Sequence, residues 1–591
     1  MRSLQILIVL FYLFSSCARF GTNPEITVDE MSEHVAFLAS DSLKGRHPGT
    51  PEDLVAARYI TDQFKKAGLQ WITEEGLQTY DIVTSIEAGD SNIMIIDGDH
   101  CAFGKEFTPV SFSSNKSVKA EVFFCGYGYD IKEDDLEWND FSELNISGKW
   151  VMVLRGNPEP EKSTSIFDIY SNDRDKAMLV KDLGASGIIY VSGPLFDPED
   201  ELIPLRSRES QVGIPAIHIK RDVANSILTS SGRTIGQLEQ ELNTKRLPLS
   251  FPVKVTIEAV TEVIPYKTAT YNAIGFLEGS HPSKKDQYII LGAHYDHLGL
   301  GGPESTSRLR DSSAVHYGAD DNASGVSALI EIAERFASTG KQPERSLLFV
   351  AFGAEELGLL GSRFFTENPP VPLEKVSLMM NLDMIGRMRD RHLQVSGTGT
   401  SLEAEEILDY FASVDSIQLM KSPEGFGASD HSSFYGKDIP VLFLTTGVHS
   451  DYHTPYDSPE KLNYSEMVQV ADFAFDLIDS VARMDSLLSF QEAGPRVMPT
   501  ERYRRGQVTL GIMPDITSSD DTEGMRVEFV SPDRPADRGG MKKGDLILAI
   551  EGKPVNNVYD YMFRLQKVNP GQQIIVTIRR DDKQFDLLIQ L

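Results

Sequence analysis

Residues 287–297 read QYIILGAHYDH, an apolar run that closes on His294 and, two positions later, on Asp296. The run reads as a strand that carries His294 to its C-terminal end, the edge where sites form in open α/β sheets. Just upstream, NAIGFLEG (272–279) reads as a second strand, and from there to about Ala482 strand-like runs alternate with helical ones. That alternation predicts an α/β fold, a sheet with helices on both faces.

Working outward, four more stretches end or begin at candidate ligands. YGADDNASG (317–325) places Asp321 before a helix whose Val326, Leu329, Ile330, Ala333 and Phe336 repeat at helical spacing. A helix entrance also suits an aspartate as an N-cap, and Asp320 competes for either role. SLLFVAFGAEELGLLGS (346–362) puts Glu355 and Glu356 after a buried strand. Neighbouring side chains in extended backbone point to opposite sides, so one could ligate while the other faces solvent at the metal. A solvated acidic pair at a helix start is the bland alternative. VSLMMNLDMIGR (376–387) ends an apolar strand on Asp383, which is costly to bury unless a cation or hydrogen bonds compensate it. His453, in DYHTPYDSPEKL (451–462), lies in a loop beside Tyr452, whose hydroxyl could donate to a developing oxyanion. Two histidines and three carboxylates suit zinc. Asp296 is read as the residue that orients His294, and His297 as a pocket residue with no required role.

The chain is too long for one core at 591 residues, and 41% hydrophobic with 24% charged residues is an ordinary globular composition. Its net charge of −30 argues against nucleic acid and anionic membranes as partners. Arg2 and the apolar run from Ile6 to Phe14, followed by Ser15, Ser16 and Cys17, predict a signal peptide over residues 1–17. Lipidation at Cys17 and simple cleavage are the two alternatives, and either makes the protein exported, periplasmic, surface-tethered or secreted. No second stretch reaches membrane length, so no transmembrane span is expected. Cys101 and Cys125 then remain, as a pair or as free thiols.

Residues 25–109 and 259–490 are assigned to the α/β domain, which opens with helical patterns on either side of the turn SDSLKGRHPGTPED (40–53). Between them, residues 110–258 carry short strand-like runs such as EVFFCGYGY, WVMVLRG and SGIIYVSG, the texture of an inserted, mostly β module. After a polar linker at 491–499, residues 500–591 show the strands RVEFVS, DLILAIEG, QIIVTIRR and FDLLIQL with one helix near Asp560 to Gln566. This last unit resembles a PDZ domain. Its loop TLGIMPD, through Leu510, Gly511, Ile512 and Met513, would then receive a peptide carboxylate on backbone N–H groups.

Taken in order, HYD, DDNASG, EE, NLD and YHT resemble the co-catalytic zinc aminopeptidase family, which includes secreted bacterial leucyl aminopeptidases and glutamate carboxypeptidase II. LASDSLKGRHPGT and AARYITDQFKKAGL are similar to that family's opening helices. NDFSELNISGKWVMVLRG, KDLGASGIIYV and IPAIHI resemble a protease-associated domain. The resemblance implies a mixed, mainly parallel sheet and two zinc ions. His294 and Asp383 would hold one, Glu356 and His453 the other, and Asp321 would bridge, with a cis peptide to Asn322. It also implies an aminopeptidase acting on peptides, in which a water bridging the two zinc ions is activated with Glu355 as base and Tyr452 stabilises the oxyanion. Runner-up readings are a carboxypeptidase or dipeptidase, with Arg387 receiving the substrate carboxylate, a one-zinc glutaminyl cyclase, and a non-enzymatic surface binding protein. GFGASDHSSFYG (425–436), with Asp430 and His431, is expected to support the site and its specificity pocket.

Overall fold

The computed structural model describes residues 24–494 and 508–591, apart from 134–135, 143, 163–164, 206–210, 303–304, 312, 515–523, 531–533, 566 and 570. The expectations for residues 1–17, for the linker beyond 494, and for Asp515 and Gln566 lie outside the described residues. The chain divides into two units, 1–80 with 270–494 and 81–269 with 495–591.

The sheet that carries the first unit is built from β1 (Leu77–Ala88) and β2 (Val263–Leu277), of which residues 77–80 and 270–277 belong to that unit, and from β3 (Tyr288–His294), β4 (Ser346–Phe352), β5 (Val376–Leu382), β6 (His392–Ser396), β7 (Gln418–Ser422) and β8 (Val441–Thr445). Their spatial order is β1-β2-β4-β3-β5-β8-β6-β7. The central β4, β3, β5 and β8 run parallel, while β2 and β6 pair antiparallel at the flanks of that block. Every residue of β4 and β5 is buried, as a parallel sheet covered on both faces requires.

Strand alternation sorts those residues between two cores. In β4, Leu347, Phe349 and Ala351 join the cluster under helices α1 (Val28–Leu38), α2 (Pro51–Ala67), α3 (Gly325–Ser338), α5 (Ala404–Asp415) and α7 (Tyr464–Arg483). Leu348, Val350 and Phe352 face the other way, toward Phe365 of α4 (Leu360–Glu367) and Phe434 of α6 (His431–Tyr435). Truncating a fully buried phenylalanine such as Phe349 to alanine should cost about 3–5 kcal/mol. The sequence also signals where α2 begins and ends. Thr50 accepts the Asp53 amide as N-cap, Pro51 occupies the first turn, and Gly68 closes the helix in the left-handed conformation.

The second unit holds two sheets. One runs Asp99–His100, Ile93–Ile96, Ser250–Val260, Ser117–Cys125, Trp150–Leu154, Gly187–Val191, Ala216–Ile219 and Phe107–Pro109. Three of its strands thus precede residue 110. The helix expected near Lys176 to Leu183 is Asp173–Asp182. Cys101 and Cys125 are free thiols, and burial pushes that of Cys101 up to about 11. The other sheet contains Ile512–Pro514, Met525–Val530, Leu546–Ile550, Gln573–Arg580 and Lys583–Gln590, with helix Val558–Leu565. Gly511 sits at φ +75°, and a Cβ there would meet the Arg534 side chain at 2.3 Å, so glycine is required before the first strand. Within this unit the helix Val558–Leu565 packs on Asp173–Asp182. Phe563 is buried in the cluster that includes Val151, Ala177 and Val180, and the Arg564 guanidinium pairs with both oxygens of Asp182.

Candidate metal centre

The four central parallel strands end at one place. His294 is the last residue of β3, Asp383 follows β5, Glu355 and Glu356 follow β4, and the loop after β8 leads to Tyr452 and His453. Asp321 arrives from the other direction, in a tight π-helical turn before α3, with Gly318 at φ +53° and a cis peptide bond between Asp321 and Asn322. The Asp321 side chain caps no helix: α3 opens with no side-chain cap bond, so the carboxylate is left to face the strand ends.

Asp321 joins two clusters. Its Oδ1 lies 3.2 Å from His294 Nε2, which is 3.3 Å from Asp383 Oδ1. Its Oδ2 lies 3.3 Å from His453 Nε2, which is 3.3 Å from Glu356 Oε2. Zinc bonds of about 2.0–2.1 Å in a tetrahedron separate ligand atoms by about 3.3–3.4 Å, so these spacings fit the edges of two such sites sharing one carboxylate. The ionisation of the groups agrees. Burial opposes a charge on His294, yet Asp383, Glu355 and Asp321 hold its proton affinity well above the ordinary imidazole range. Burial likewise opposes charge on His453, and the Asp321 and Glu356 carboxylates outweigh it, raising it to about 10. Burial disfavours the Glu356 and Asp321 carboxylates, but Glu356 is nevertheless lowered to about 2 and Asp321 falls well below its usual value beside the imidazoles. A buried concentration of carboxylates that draws positive charge this strongly suits divalent cations.

The choice between Asp320 and Asp321 is made by their partners. Asp320 Oδ1 accepts the Gly386 amide at 2.6 Å and its Oδ2 lies 3.2 Å from His449 Nε2, so Asp320 is turned into the loops. The amides of both aspartates donate to Asp457 Oδ2, at 2.9 and 3.0 Å. Asn322 ties the same turn to the end of β5, donating to Leu382 O and accepting the Met384 amide.

Asp296 acts on a different group from the one expected. Its carboxylate is 3.8 Å from His294 Nδ1, which instead lies 3.3 Å from the Asp296 backbone carbonyl. The carboxylate accepts the amides of Glu355 and Glu356, at 2.9 and 3.2 Å. These two glutamates lie in a turn, with Ala354 at φ +54°, and not in extended backbone. It is this turn, clamped by Asp296, that sends Glu356 toward His453. Burial, with the Asp430, Glu356 and Asp383 charges, holds the Glu355 carboxyl well above its usual value. Tyr452 stacks on His453, ring centroids 3.8 Å apart. Asp383 Oδ2 accepts the Ser429 hydroxyl at 2.7 Å, and Ser429 accepts the Asn381 side-chain amide. Asp430 and His431, next in sequence, are fully buried, and His431 stacks on Phe443 of β8.

Three further residues belong to the site. Arg46, from the turn between α1 and α2, is fully buried and donates to the carbonyls of Leu38, Tyr295, Tyr317 and Gly318, bracing both the end of β3 and the Asp321 turn. Burial lowers its pKa to about 10 against the pull of Asp321 and Asp296. Asp457 is the second, and the third is His297, whose Nδ1 lies 2.9 Å from Glu356 Oε1. Arg387 is engaged by Asp451 at 3.2 Å and Asp457 at 3.4 Å.

Three segments of the chain match known family models. Residues 272–478 match the family model described as Peptidase family M28, residues 114–227 that of the PA domain, and residues 508–591 that of the PDZ domain. The chain is similar to a protein of Arabidopsis thaliana named probable glutamate carboxypeptidase AMP1, 25% identical over 513 residues, 77% of this chain and 67% of that protein. It is also similar to aminopeptidase YwaD of Bacillus subtilis, 25% identical over 375 residues, 61% of this chain and 66% of that protein. The chain thus spans about two thirds of the length of these relatives. The solved structure of BSAP, a zinc aminopeptidase from Bacillus subtilis, aligns with 77% of this chain and 95% of its own at 20% identity, with a TM-score of 0.44. Among the described residues no helix is long and apolar enough to cross a membrane.

Proposed function

Because the chain carries a Peptidase family M28 domain at 272–478 together with a PA and a PDZ domain, we propose that it is a zinc-dependent exopeptidase, an aminopeptidase that removes N-terminal residues from peptides. The observation that carries the reading is the Asp321 carboxylate, with one oxygen 3.2 Å from His294 Nε2 and the other 3.3 Å from His453 Nε2. In this reading His294 and Asp383 hold one zinc, Glu356 and His453 the other, and Asp321 both. Two zinc ions would supply Lewis acidity to a peptide carbonyl and to the attacking water.

The remaining work falls to the protein. Glu355 takes the proton of the water and delivers it to the leaving amine. Asp296 fixes Glu355 through its amide, and Ser429 fixes Asp383. Tyr452, held against His453, donates its hydroxyl to the oxyanion of the tetrahedral carbon. The acidic surroundings suit a free α-amino group. Arg387, the cation a carboxypeptidase reading needs for a substrate carboxylate, is already paired with Asp451 and Asp457.

Export on residues 1–17 and capture of C-terminal peptides at Leu510 to Met513 complete the proposal, as do the domain limits given above, with the insertion extended back to the strands before residue 110. The test is incubation with matched peptides, free or acetylated at the N-terminus, with and without chelator. Release of N-terminal residues from the free peptides alone, abolished by chelator and restored by zinc, is the expected result. Cleavage from the C-terminus, or cleavage indifferent to chelator, sinks the proposal.

A further inference from the structure

His297 has a position that a pocket residue does not need. Its ring is fully buried, yet neither ring nitrogen has a hydrogen-bond partner, and Glu356 Oε1, only 2.9 Å from Nδ1, has none either. Nδ1 is also 3.9 Å from Asp321 Oδ2, and the ring stands edge-on to that of His453, centroids 5.9 Å apart. The backbone has made room for it: a Cβ at Gly318 would lie 2.6 Å from the His297 ring, and the His297 amide is 3.4 Å from Arg46 O.

Buried nitrogens and oxygens that face one another without bonding are chemically suited to share a cation. His297, Asp321 and Glu356 bring such atoms within 4.8 Å of one another, as do His294, Asp321 and Asp383. Resting on the metal-centre reading above, we propose that His297 is a sixth protein ligand, donating through Nδ1 to the cation also held by Glu356, His453 and Asp321. Its separations of 2.9 and 3.9 Å from Glu356 and Asp321 bracket the spacing of about 3.3–3.4 Å expected between two ligand atoms of one zinc. The centre would then be unequal: two imidazoles and two carboxylates would hold one cation, while His294, Asp383 and the shared Asp321 would hold the other.

The test measures metal, not turnover. Wild-type protein, His297→Ala and His297→Cys are equilibrated with buffered zinc for metal content and with cobalt(II) for absorption spectra. A cysteine at 297 has the reach for this, because a metal–sulfur bond of about 2.3 Å offsets the shorter side chain. The expected result is two cations in the wild type, one of them bound about a hundredfold or more weaker in His297→Ala. His297→Cys should add a near-ultraviolet thiolate-to-cobalt charge-transfer band that the wild type lacks. Unchanged binding of both cations in His297→Ala, or no such band in a cobalt-loaded His297→Cys, overturns the ligand assignment and leaves the metal centre standing. Wild-type protein that takes up no divalent cation removes both.

Discussion

The two sides of the centre are built by different means. On one side His294 and Asp383 sit at the ends of β3 and β5, hydrogen-bonded neighbours whose register places the residues before any side chain acts. On the other, His453 stands in a loop at φ +55°, with Nδ1 3.2 Å from Thr306 O, and Asp321 hangs in a turn whose amides are caught by Asp457. Sheet geometry places the first pair, and Ser429 then orients the Asp383 side chain. The loop side is oriented by single contacts between segments far apart in sequence, and removing one should cost more there. The difference explains why Asp457 sits on the loop side, and why Arg46 ties the Asp321 turn to the end of β3: they fasten backbone that no strand ladder holds.

Glu355 lies between the two sides, and its replacement sets the upper limit of what either can show. Glu355→Gln should lower turnover by about 10²–10⁴-fold while both zinc ions stay bound, checked by rate and metal analysis on the same sample. A fully active variant would show that the proton passes elsewhere. Asp457→Asn strikes the loop side, where it weakens the acceptor of two amides, and should reduce zinc affinity by up to about a hundredfold in chelator competition. An affinity loss smaller than that of a strand-side variant would reverse the comparison.

The strand side has its own dependence on pH, through His431 packed against β8. Burial lowers His431 to about 3, so the folded protein keeps it neutral while the unfolded chain protonates it near 6.5. Its stabilising share is therefore complete above about pH 6.5 and is lost as pH falls toward 3. Between about pH 7.5 and about pH 5 the loss is about 2 kcal/mol. His431→Phe should flatten the fall in urea midpoint by that amount, and an unchanged slope would show that the imidazole does not stay neutral. The smallest effect belongs to Ser429→Ala. Asp383 keeps its place at the end of β5, so zinc affinity should drop by about tenfold only, measured in the same chelator competition.

What could be read without coordinates follows the same division. QYIILGAHYDH and VSLMMNLDMIGR announced strands because buried parallel strands are apolar throughout, and a polar residue at the end of such a run is conspicuous. The helices flanking Arg46 were equally plain from caps and spacing. The Arg46 contacts were not, since its acceptor at Tyr295 lies 249 positions away and nothing local marks the arginine. Asp320 and Asp321 could be separated only by the family likeness until Gly386 and His449 showed where Asp320 points. His297 carried a legible signal, a second histidine three residues after the first, but a five-ligand template left it without a task. The Glu355–Glu356 pair was assigned opposite directions on strand geometry, whereas a turn held by Asp296 provides the separation.

The seam between the helix Val558–Leu565 and the helix Asp173–Asp182 has a practical outcome for anyone trimming this chain. Ending it at residue 494 would strip Asp182 of its guanidinium partner and bare the greasy seat now filled by Phe563. The shortened product would be a stickier object and not simply a smaller one, prone to self-association through a face the intact chain keeps dry.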